Sequence, residues 1–192
     1  MRNVFFTISS WNYLHYSRTV ASSFARYHPD FSCVIAICDT PRGDLGKDLF
    51  PEFDDHVFFD DLDLPDRRAL SFRYDVMELN TAIKPTMFRR LFAEGFDRVI
   101  YLDPDIFAYR RFDELLAAFD AGASSILTPH SLEPNLHAEG PNDLTFMRAG
   151  VYNLGFLALA KTKETLDLLQ WWETRLQKEC VWIWISDGIF VD

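Results

Sequence analysis

Asp103 and Asp105, which are separated only by Pro104, directly follow the apolar run of residues 99–102. An apolar run that ends in charge is typical of a buried parallel strand, and open α/β sheets bind ligands beyond the carboxyl ends of such strands. Carboxylates crowded there repel each other, and a Mg²⁺ or Mn²⁺ ion relieves that repulsion and commonly binds a phosphate group as well. The pattern predicts a metal and phosphate site, with a solvated Asp-Pro turn as the alternative.

The charge of the whole chain supports a metal bridge. Its 192 residues include 29 acidic and 19 basic side chains, for a net charge of -10. The absence of a basic run argues against a nucleic-acid partner. An anionic substrate would be repelled, because each carboxylate–phosphate contact at about 4 Å costs roughly 4 kcal/mol at an effective dielectric near 20. A bound divalent cation turns that repulsion into attraction.

Alternating strand and helix patterns would position these residues. The sequence predicts strands over residues 4–8, 32–37, 55–59, 98–102, 125–128 and 152–159. Helical patterns cover residues 11–28, 72–93, 112–119 and 162–178. Pro85 interrupts the second of these and fits the first turn of a new helix. The alternation predicts an α/β fold, a mostly parallel Rossmann-like sheet with helices on both faces.

The chain length and its ends bear on organisation and location. A length of 192 residues fits a single domain, and residues 190–192 carry no terminal cap or polar tail, so we expect residues 1–192 to be one domain truncated at its C-terminus. The three cysteines have no zinc spacing, and neither a signal peptide nor a transmembrane run is visible, which predicts a cytoplasmic protein. The polar segment 130–148 is long enough to predict a functional loop.

Four segments together resemble the nucleotide-sugar-binding domain of GT-A-fold glycosyltransferases, notably the glycogenin-like group, glycosyltransferase family eight. They are residues 7–13 (TISSWNY), 78–85 (ELNTAIKP), 98–106 (RVIYLDPDI) and 152–159 (YNLGFLAL). Residues 187–192 (DGIFVD) resemble the start of a later motif of the same group. The resemblance covers essentially the whole chain. It implies transfer of a sugar from a nucleoside diphosphate sugar, UDP-linked, with retention of the anomeric configuration.

The resemblance also implies roles for individual residues. Asp103 and Asp105 match the metal-binding Asp-x-Asp, in which the first carboxylate also reaches the ribose. Lys84 matches a lysine that approaches the donor, whereas Asn153 and Asp192 match residues that face the sugar. The exit of the first strand, which receives the base and ribose, contributes Thr7, Ser9, Asn12 and Tyr13. A further candidate for the base is Asp39, at the exit of the second strand.

Several of these residues have ordinary structural alternatives. Lys84 could be a surface lysine, Tyr13 a core aromatic and Asp39 a solvated strand end. Asn153 lies in an apolar strand, where an unsatisfied amide costs about 1–3 kcal/mol, so either the backbone or a ligand must satisfy it. Gly155 either permits close backbone approach or forms a plain bulge.

One part of the family pattern has no counterpart. The usual third metal ligand, a histidine in a His-x-x-Gly-x-x-Lys-Pro-Trp-like segment, does not follow Asp105. We therefore expect a metal-dependent glycosyltransferase, or its donor-binding domain, which binds donor but transfers sugar poorly to a glycan or other hydroxyl acceptor, with further domains after residue 192. Two other classes stay open. One is a non-catalytic sugar-nucleotide-binding module; the other is an Asp-x-Asp phosphatase, which expects its motif on the first strand, followed by Thr or Val.

Overall fold

A computed structural model describes residues 1–41, 49–134 and 142–180. Its strands are β1 (Asn3–Ser9), β2 (Ser32–Ile37), β3 (Asp55–Phe58), β4 (Arg98–Leu102), β5 (Ser125–Pro129) and β6 (Tyr152–Ala160). They form one sheet in the order β3-β2-β1-β4-β6-β5. The first four strands in this order are mutually parallel, and β6 is antiparallel to both of its neighbours. The predicted mostly parallel α/β sheet is confirmed.

Helices cover both faces of the sheet. They are α1 (Leu14–Tyr27), α2 (Arg67–Arg73), α3 (Val76–Ala82), α4 (Lys84–Ala93), α5 (Asp113–Asp120), α6 (Asp143–Ala149) and α7 (Lys163–Glu179). Apolar residues of α1 and α5 pack on one face, and those of α2, α3, α4 and α7 pack on the other. None of the helices in the described part of the chain has the length and apolar composition that a membrane crossing needs.

The central strand β1 shows why the sheet needs helices on both sides. Successive side chains of a strand point to opposite faces, and β1 buries a phenylalanine on each face. Phe5 stacks on Phe24 of α1 at 4.5 Å, whereas Phe6 meets Phe88 of α4 edge to face at 4.9 Å. Both phenylalanines of β1 are fully buried, and each such burial contributes about 1.5–3 kcal/mol to stability. This strand holds its carboxyl end rigidly at the sheet edge.

The segment 72–93 differs from its prediction. It contains two breaks instead of one, because α2 ends at Arg73 and α3 begins after Asp75. The Asp75 carboxylate accepts hydrogen bonds from the backbone N–H groups of Met77 and Glu78, and the Glu78 carboxylate accepts one from the Asp75 N–H at 3.0 Å. This capping box starts a new helix. The predicted break at Pro85 is confirmed, since Pro85 is the second residue of α4.

The polar segment 130–148 is also more ordered than predicted. Its last part belongs to α6, whose first turn is capped by Asn142. The Asn142 Oδ1 accepts a hydrogen bond from the Thr145 N–H at 3.0 Å. An asparagine at this position satisfies a backbone donor that the helix itself leaves unpaired. Residues 135–141 of the predicted loop lie outside the described residues.

The cysteines are buried inside this fold. Cys33, Cys38 and Cys180 are all free thiols. Burial raises the pKa of both Cys33 and Cys38 to about 12. Because the thiolate is the reactive form, these two side chains act as small apolar core residues.

Candidate functional site

A cavity of about 500 Å³ opens where β1 and β4 end side by side. Three segments form its wall: the turn after β1, one face of α3 continuing to Lys84, and the residues that follow β4. The first three of the four motif segments therefore meet in space. The cavity volume lies in the range of small-molecule sites, about 300–1,000 Å³. Its position is the one where open α/β sheets bind ligands.

The turn after β1 places three predicted residues at the cavity. Ser9, Asn12 and Tyr13 all line it. The Ser10 hydroxyl donates to Asn12 Oδ1 at 2.6 Å, which holds the short 3-10 turn of Trp11–Tyr13 against the end of β1. The Tyr13 side chain is 46% exposed, so the core-aromatic alternative is wrong. An exposed aromatic ring at a cavity is available to stack on a flat ligand group.

Two other residues predicted for the nucleoside do not line the cavity. The Asp39 carboxylate accepts a hydrogen bond from the Trp11 N–H at 3.0 Å, so it fixes the turn that carries Asn12 and Tyr13. Thr7 is fully buried within β1. The geometry gives Asp39 a positioning role for the turn, and direct contact of either residue with a ligand stays a prediction.

Lys84 is buried, and the surface-lysine alternative is wrong. Only 3% of it is exposed. Its Nζ donates to the Leu154 carbonyl at 3.2 Å, lies 3.8 Å from Asp103 Oδ1 and sits 4.8 Å above the Tyr101 ring. A buried ammonium is stable only when it is paired in this way. The lysine therefore places a fixed positive charge in the cavity wall beside Asp103.

Hydrogen bonds to Tyr101 and Gly155 hold Asp103 in place. The Tyr101 hydroxyl donates to its Oδ1 at 2.5 Å, and its own backbone N–H donates to the Gly155 carbonyl at 2.8 Å. A Cβ added to Gly155 would lie 2.9 Å from Asp103 Oδ2, closer than real contacts allow. Gly155 thus permits a close approach, as one of its two predicted interpretations required. Asp105 also lines the cavity and is exposed.

Asn153 lies at the exposed beginning of β6 and is not among the cavity-lining residues. Its Oδ1 accepts a hydrogen bond from the Gly155 N–H at 2.8 Å. Of the two partners that the sequence allowed for this amide, the backbone satisfies the Oδ1, and the side chain is exposed although its strand is apolar. A role of Asn153 toward a sugar stays a prediction. Asp192 lies outside the described residues.

Sequence reasoning missed two residues of the site. Tyr101 orients Asp103, and Asn80 lines the cavity one helical turn before Lys84. The sequence spacing could have identified both residues. Tyr101 precedes Asp103 by two residues and so shares its face of the strand, whereas Asn80 precedes Lys84 by four.

No group of three or more His, Cys, Asp and Glu side chains in residues 1–41, 49–134 and 142–180 is arranged to hold a metal ion. Asp103 and Asp105 instead form a pair at one wall of the cavity. Mg²⁺ is commonly bound by one or two carboxylates together with water and substrate phosphates, without an all-protein cage. The pair fits that mode of binding, in which the ligand completes the coordination.

The chain was compared with known proteins. No protein-family profile and no curated protein matches it. Solved structures do share its fold. The glycosyltransferase GlyE of Streptococcus pneumoniae TIGR4 is 16% identical with a TM-score of 0.57, over 97% of this chain and 41% of that one. The galactosyltransferase LgtC, in complex with donor and acceptor sugar analogues, is 16% identical with a TM-score of 0.53, over 88% of this chain and 59% of that one.

A third structure extends the comparison. The 4-diphosphocytidyl-2C-methyl-D-erythritol synthase of Anaerococcus prevotii DSM 20548 is 14% identical with a TM-score of 0.51, over 97% of this chain and 81% of that one. The chain thus spans 59% of LgtC and 41% of GlyE. At such identities the likeness establishes the fold alone. The chain has the α/β fold of the nucleotide-diphospho-sugar transferases, the GT-A type.

Proposed function

We propose that this chain is the donor-binding domain of a GT-A-type glycosyltransferase that transfers a sugar from a UDP-linked donor to an acceptor hydroxyl. One observation carries the proposal. The turn after β1, the α3 face and the Asp103–Asp105 pair meet around one cavity, where Lys84 is buried against Asp103. Among the structures that share the fold, LgtC was captured with donor and acceptor sugar analogues. The fold by itself does not fix the reaction, because a synthase shares it.

Asp103 and Asp105 would hold a Mn²⁺ or Mg²⁺ ion. Their carboxylates supply the hard oxygen ligands that such ions prefer, and the missing side chain of Gly155 lets β6 approach Asp103 Oδ2 closely. A bound divalent ion supplies Lewis-acid stabilisation of the departing diphosphate. The chain's own residues prepare this place: the Tyr101 hydroxyl fixes the orientation of the Asp103 carboxylate, and Lys84 offsets part of its charge.

The remaining residues would bind and orient the donor. Tyr13, exposed at the cavity, would stack on the base, while Ser9 and Asn12 would hydrogen-bond to the nucleoside. Asn153 and Asp192 would orient the sugar, as the family resemblance implies. If the chain is a member of the glycogenin-like group, transfer retains the anomeric configuration.

A non-catalytic sugar-nucleotide-binding module is the second candidate. The observation that favours it is that, within the described residues, no third His, Cys, Asp or Glu side chain joins Asp103 and Asp105 as a metal ligand. Such a module would bind UDP-sugar and release no UDP on incubation with acceptor sugars, whereas the enzyme would release it. The phosphatase hypothesis has no support, because the Asp pair follows β4, the fourth strand along the chain, and not the first.

Calorimetry with UDP tests the proposal. In Mn²⁺, UDP should bind, and EDTA should weaken binding by at least about tenfold, equivalent to about 1.4 kcal/mol. Asp105→Asn should weaken UDP–Mn²⁺ binding to a similar extent at an unchanged melting temperature, because Asp105 is exposed and outside the core. Asp63→Asn is the matched control, since it removes the same charge from another exposed aspartate. Equal UDP affinity with and without EDTA would contradict metal-assisted binding.

A further inference from the structure

Four buried side-chain atoms in the described residues lack a hydrogen-bond partner: Asn3 Oδ1, Thr7 Oγ1, His28 Nδ1 and Asn80 Oδ1. Leaving such an atom unpaired costs about 1–3 kcal/mol, and native proteins leave few of them. Of these four residues, Asn80 alone lines the cavity of the candidate site. A polar atom that the fold leaves unpaired at a binding cavity points to a partner from outside the chain.

Asn80 occupies the middle of the helical face that forms one wall of the cavity. Met77 precedes it by three residues and Lys84 follows it by four, so the three share one side of the helical segment. At about 1.5 Å per residue, one helical turn separates Asn80 from the lysine that pairs with Asp103.

The chemistry of the atom restricts its partner. A side-chain amide oxygen only accepts hydrogen bonds, so its partner must donate one. Ionised phosphate oxygens are acceptors and cannot serve. The hydroxyl groups of a ribose or of a transferred sugar can donate, and so can the N3–H of a uracil base.

We infer that Asn80 is a specificity-determining residue of the donor site, whose Oδ1 accepts a hydrogen bond from a hydroxyl group of the bound nucleotide sugar. The inference rests on the proposed function and adds to it. It assigns a recognition role to a residue outside the Asp pair, Lys84 and the turn after β1. It also predicts that the site discriminates between donors with and without that hydroxyl.

Asn80→Leu tests the inference, because leucine has a similar size and no acceptor. Calorimetry in Mn²⁺ would use three probes: UDP, UDP-glucose and UDP-galactose. We expect the variant to bind at least one of the UDP-sugars about tenfold more weakly than the unmodified chain, a change of about 1.4 kcal/mol. Asn3→Leu is the matched control: Asn3 has the same kind of unpaired Oδ1 but lies at the other end of β1, so its substitution should leave all affinities unchanged.

The probes distinguish the two sources of the hydroxyl, and either result supports the inference. If it belongs to the sugar, Asn80→Leu weakens UDP-sugar binding and leaves UDP binding intact. If it belongs to the ribose, all three probes weaken equally, and either 2′-deoxy-UDP or 3′-deoxy-UDP binds the unmodified chain no better than the variant. If all three probes weaken equally and both deoxy analogues still bind the unmodified chain more tightly than the variant, the hydrogen bond belongs to the uracil N3–H, and the role of a hydroxyl group is refuted. Should the leucine variant fail to fold, Asn80→Ala removes the same oxygen without adding bulk.

Two further outcomes would overturn the inference, and they differ. An Asn80 variant that folds and binds every probe with unchanged affinity would refute the role of Asn80 while leaving the donor site in place. An unmodified chain that binds none of the probes would refute the proposed function itself, and the inference with it.

Discussion

The two halves of the sheet differ in how they are covered. In the parallel half, formed by β3, β2, β1 and β4, every residue of β4 and all but the first residues of β1 and β2 are buried. In the antiparallel edge, β5 has no buried residue and β6 is buried only from Gly155 onward. Parallel strands need cover on both faces, whereas an antiparallel edge tolerates solvent. The first half is a rigid frame, and the second is a partly solvated edge.

The candidate site lies on the line where these halves join. Asp103 leaves the parallel half at the end of β4, and its backbone N–H donates to the Gly155 carbonyl of β6. Lys84, buried under the same frame, donates to the Leu154 carbonyl of β6. The frame supplies the charged groups, and the edge strand supplies the carbonyls that orient them. Rigid support of this kind is what a binding site requires to hold its geometry.

The largest expected effect compares one phenylalanine from each half. Phe6→Ala in β1 should lower the free energy of unfolding by about 3–5 kcal/mol, because Phe6 is fully buried against Phe88 and Tyr101. Phe156→Ala in β6 should cost about 1–2 kcal/mol, because Phe156 is only partly buried. Urea denaturation of both variants measures the difference. Equal losses would show that the edge contributes to stability as much as the frame does.

The second prediction concerns the contact between the two halves of the sheet, where Gly155 of β6 approaches Asp103. Gly155→Ala places a Cβ 2.9 Å from both Asp103 Oδ2 and Asn153 Oδ1, so these side chains or β6 must shift. Overpacking of this kind costs about 1–3 kcal/mol in stability. We also expect UDP–Mn²⁺ affinity to fall by about tenfold, about 1.4 kcal/mol, because a displaced carboxylate no longer meets the ion. Calorimetry and thermal unfolding on the same protein give both values.

Gly122→Ala is the control for that experiment. Gly122 has a φ of +98°, which strains any other residue, but a Cβ there would meet no atom within 4 Å. It should therefore lower stability without changing UDP affinity. If both glycine variants bind UDP as the unmodified chain does, the close approach at Gly155 has no role in binding.

Much of the frame could be predicted from the sequence. The strands β1, β2 and β4 are short continuous apolar runs ending in polar residues, which is the pattern that burial on both faces imposes. Asp103 and Asp105 could be placed at the sheet edge because they directly follow such a run. The reverse direction of β6 could not be predicted, since an apolar run carries no sign of its direction in the sheet.

The details of the site depended on tertiary packing. A surface position was the alternative for Lys84, and its burial became visible only with its partners, Asp103 directly after β4 and Leu154 from β6. Asn80 lay within a recognised motif, yet no rule of spacing shows that its Oδ1 would be left without a partner. By contrast, the break before α3 could have been predicted from the sequence, because Asp75 and Glu78 have the spacing of a capping box.

The smallest expected effect is on the pH dependence of stability. It compares a histidine packed on the parallel half of the sheet with one beside the antiparallel edge. His28 is fully buried against the parallel half, stacked on Phe24 at 4.3 Å, and its Nε2 accepts a hydrogen bond from the Phe112 N–H. Burial lowers the pKa of His28 from its ordinary value of 6.5, and the nearby Arg111 guanidinium lowers it further, against smaller opposing effects of Asp30 and Asp113. His130 is exposed beside the antiparallel edge.

The sign of the pH effect follows from proton binding. The unfolded chain protonates His28 near pH 6.5, whereas the folded chain protonates it only at lower pH. Between these values the unfolded state binds more protons, so the free energy of unfolding should fall as the pH is lowered from about 7.5 to 5. His28→Phe should flatten this slope even though it lowers stability overall, because the Phe112 N–H loses its acceptor. His130→Phe, which replaces an exposed imidazole, is the control. Urea denaturation at several pH values measures all three proteins, and a His28→Phe slope equal to that of the unmodified chain would show that the buried histidine does not couple folding to pH.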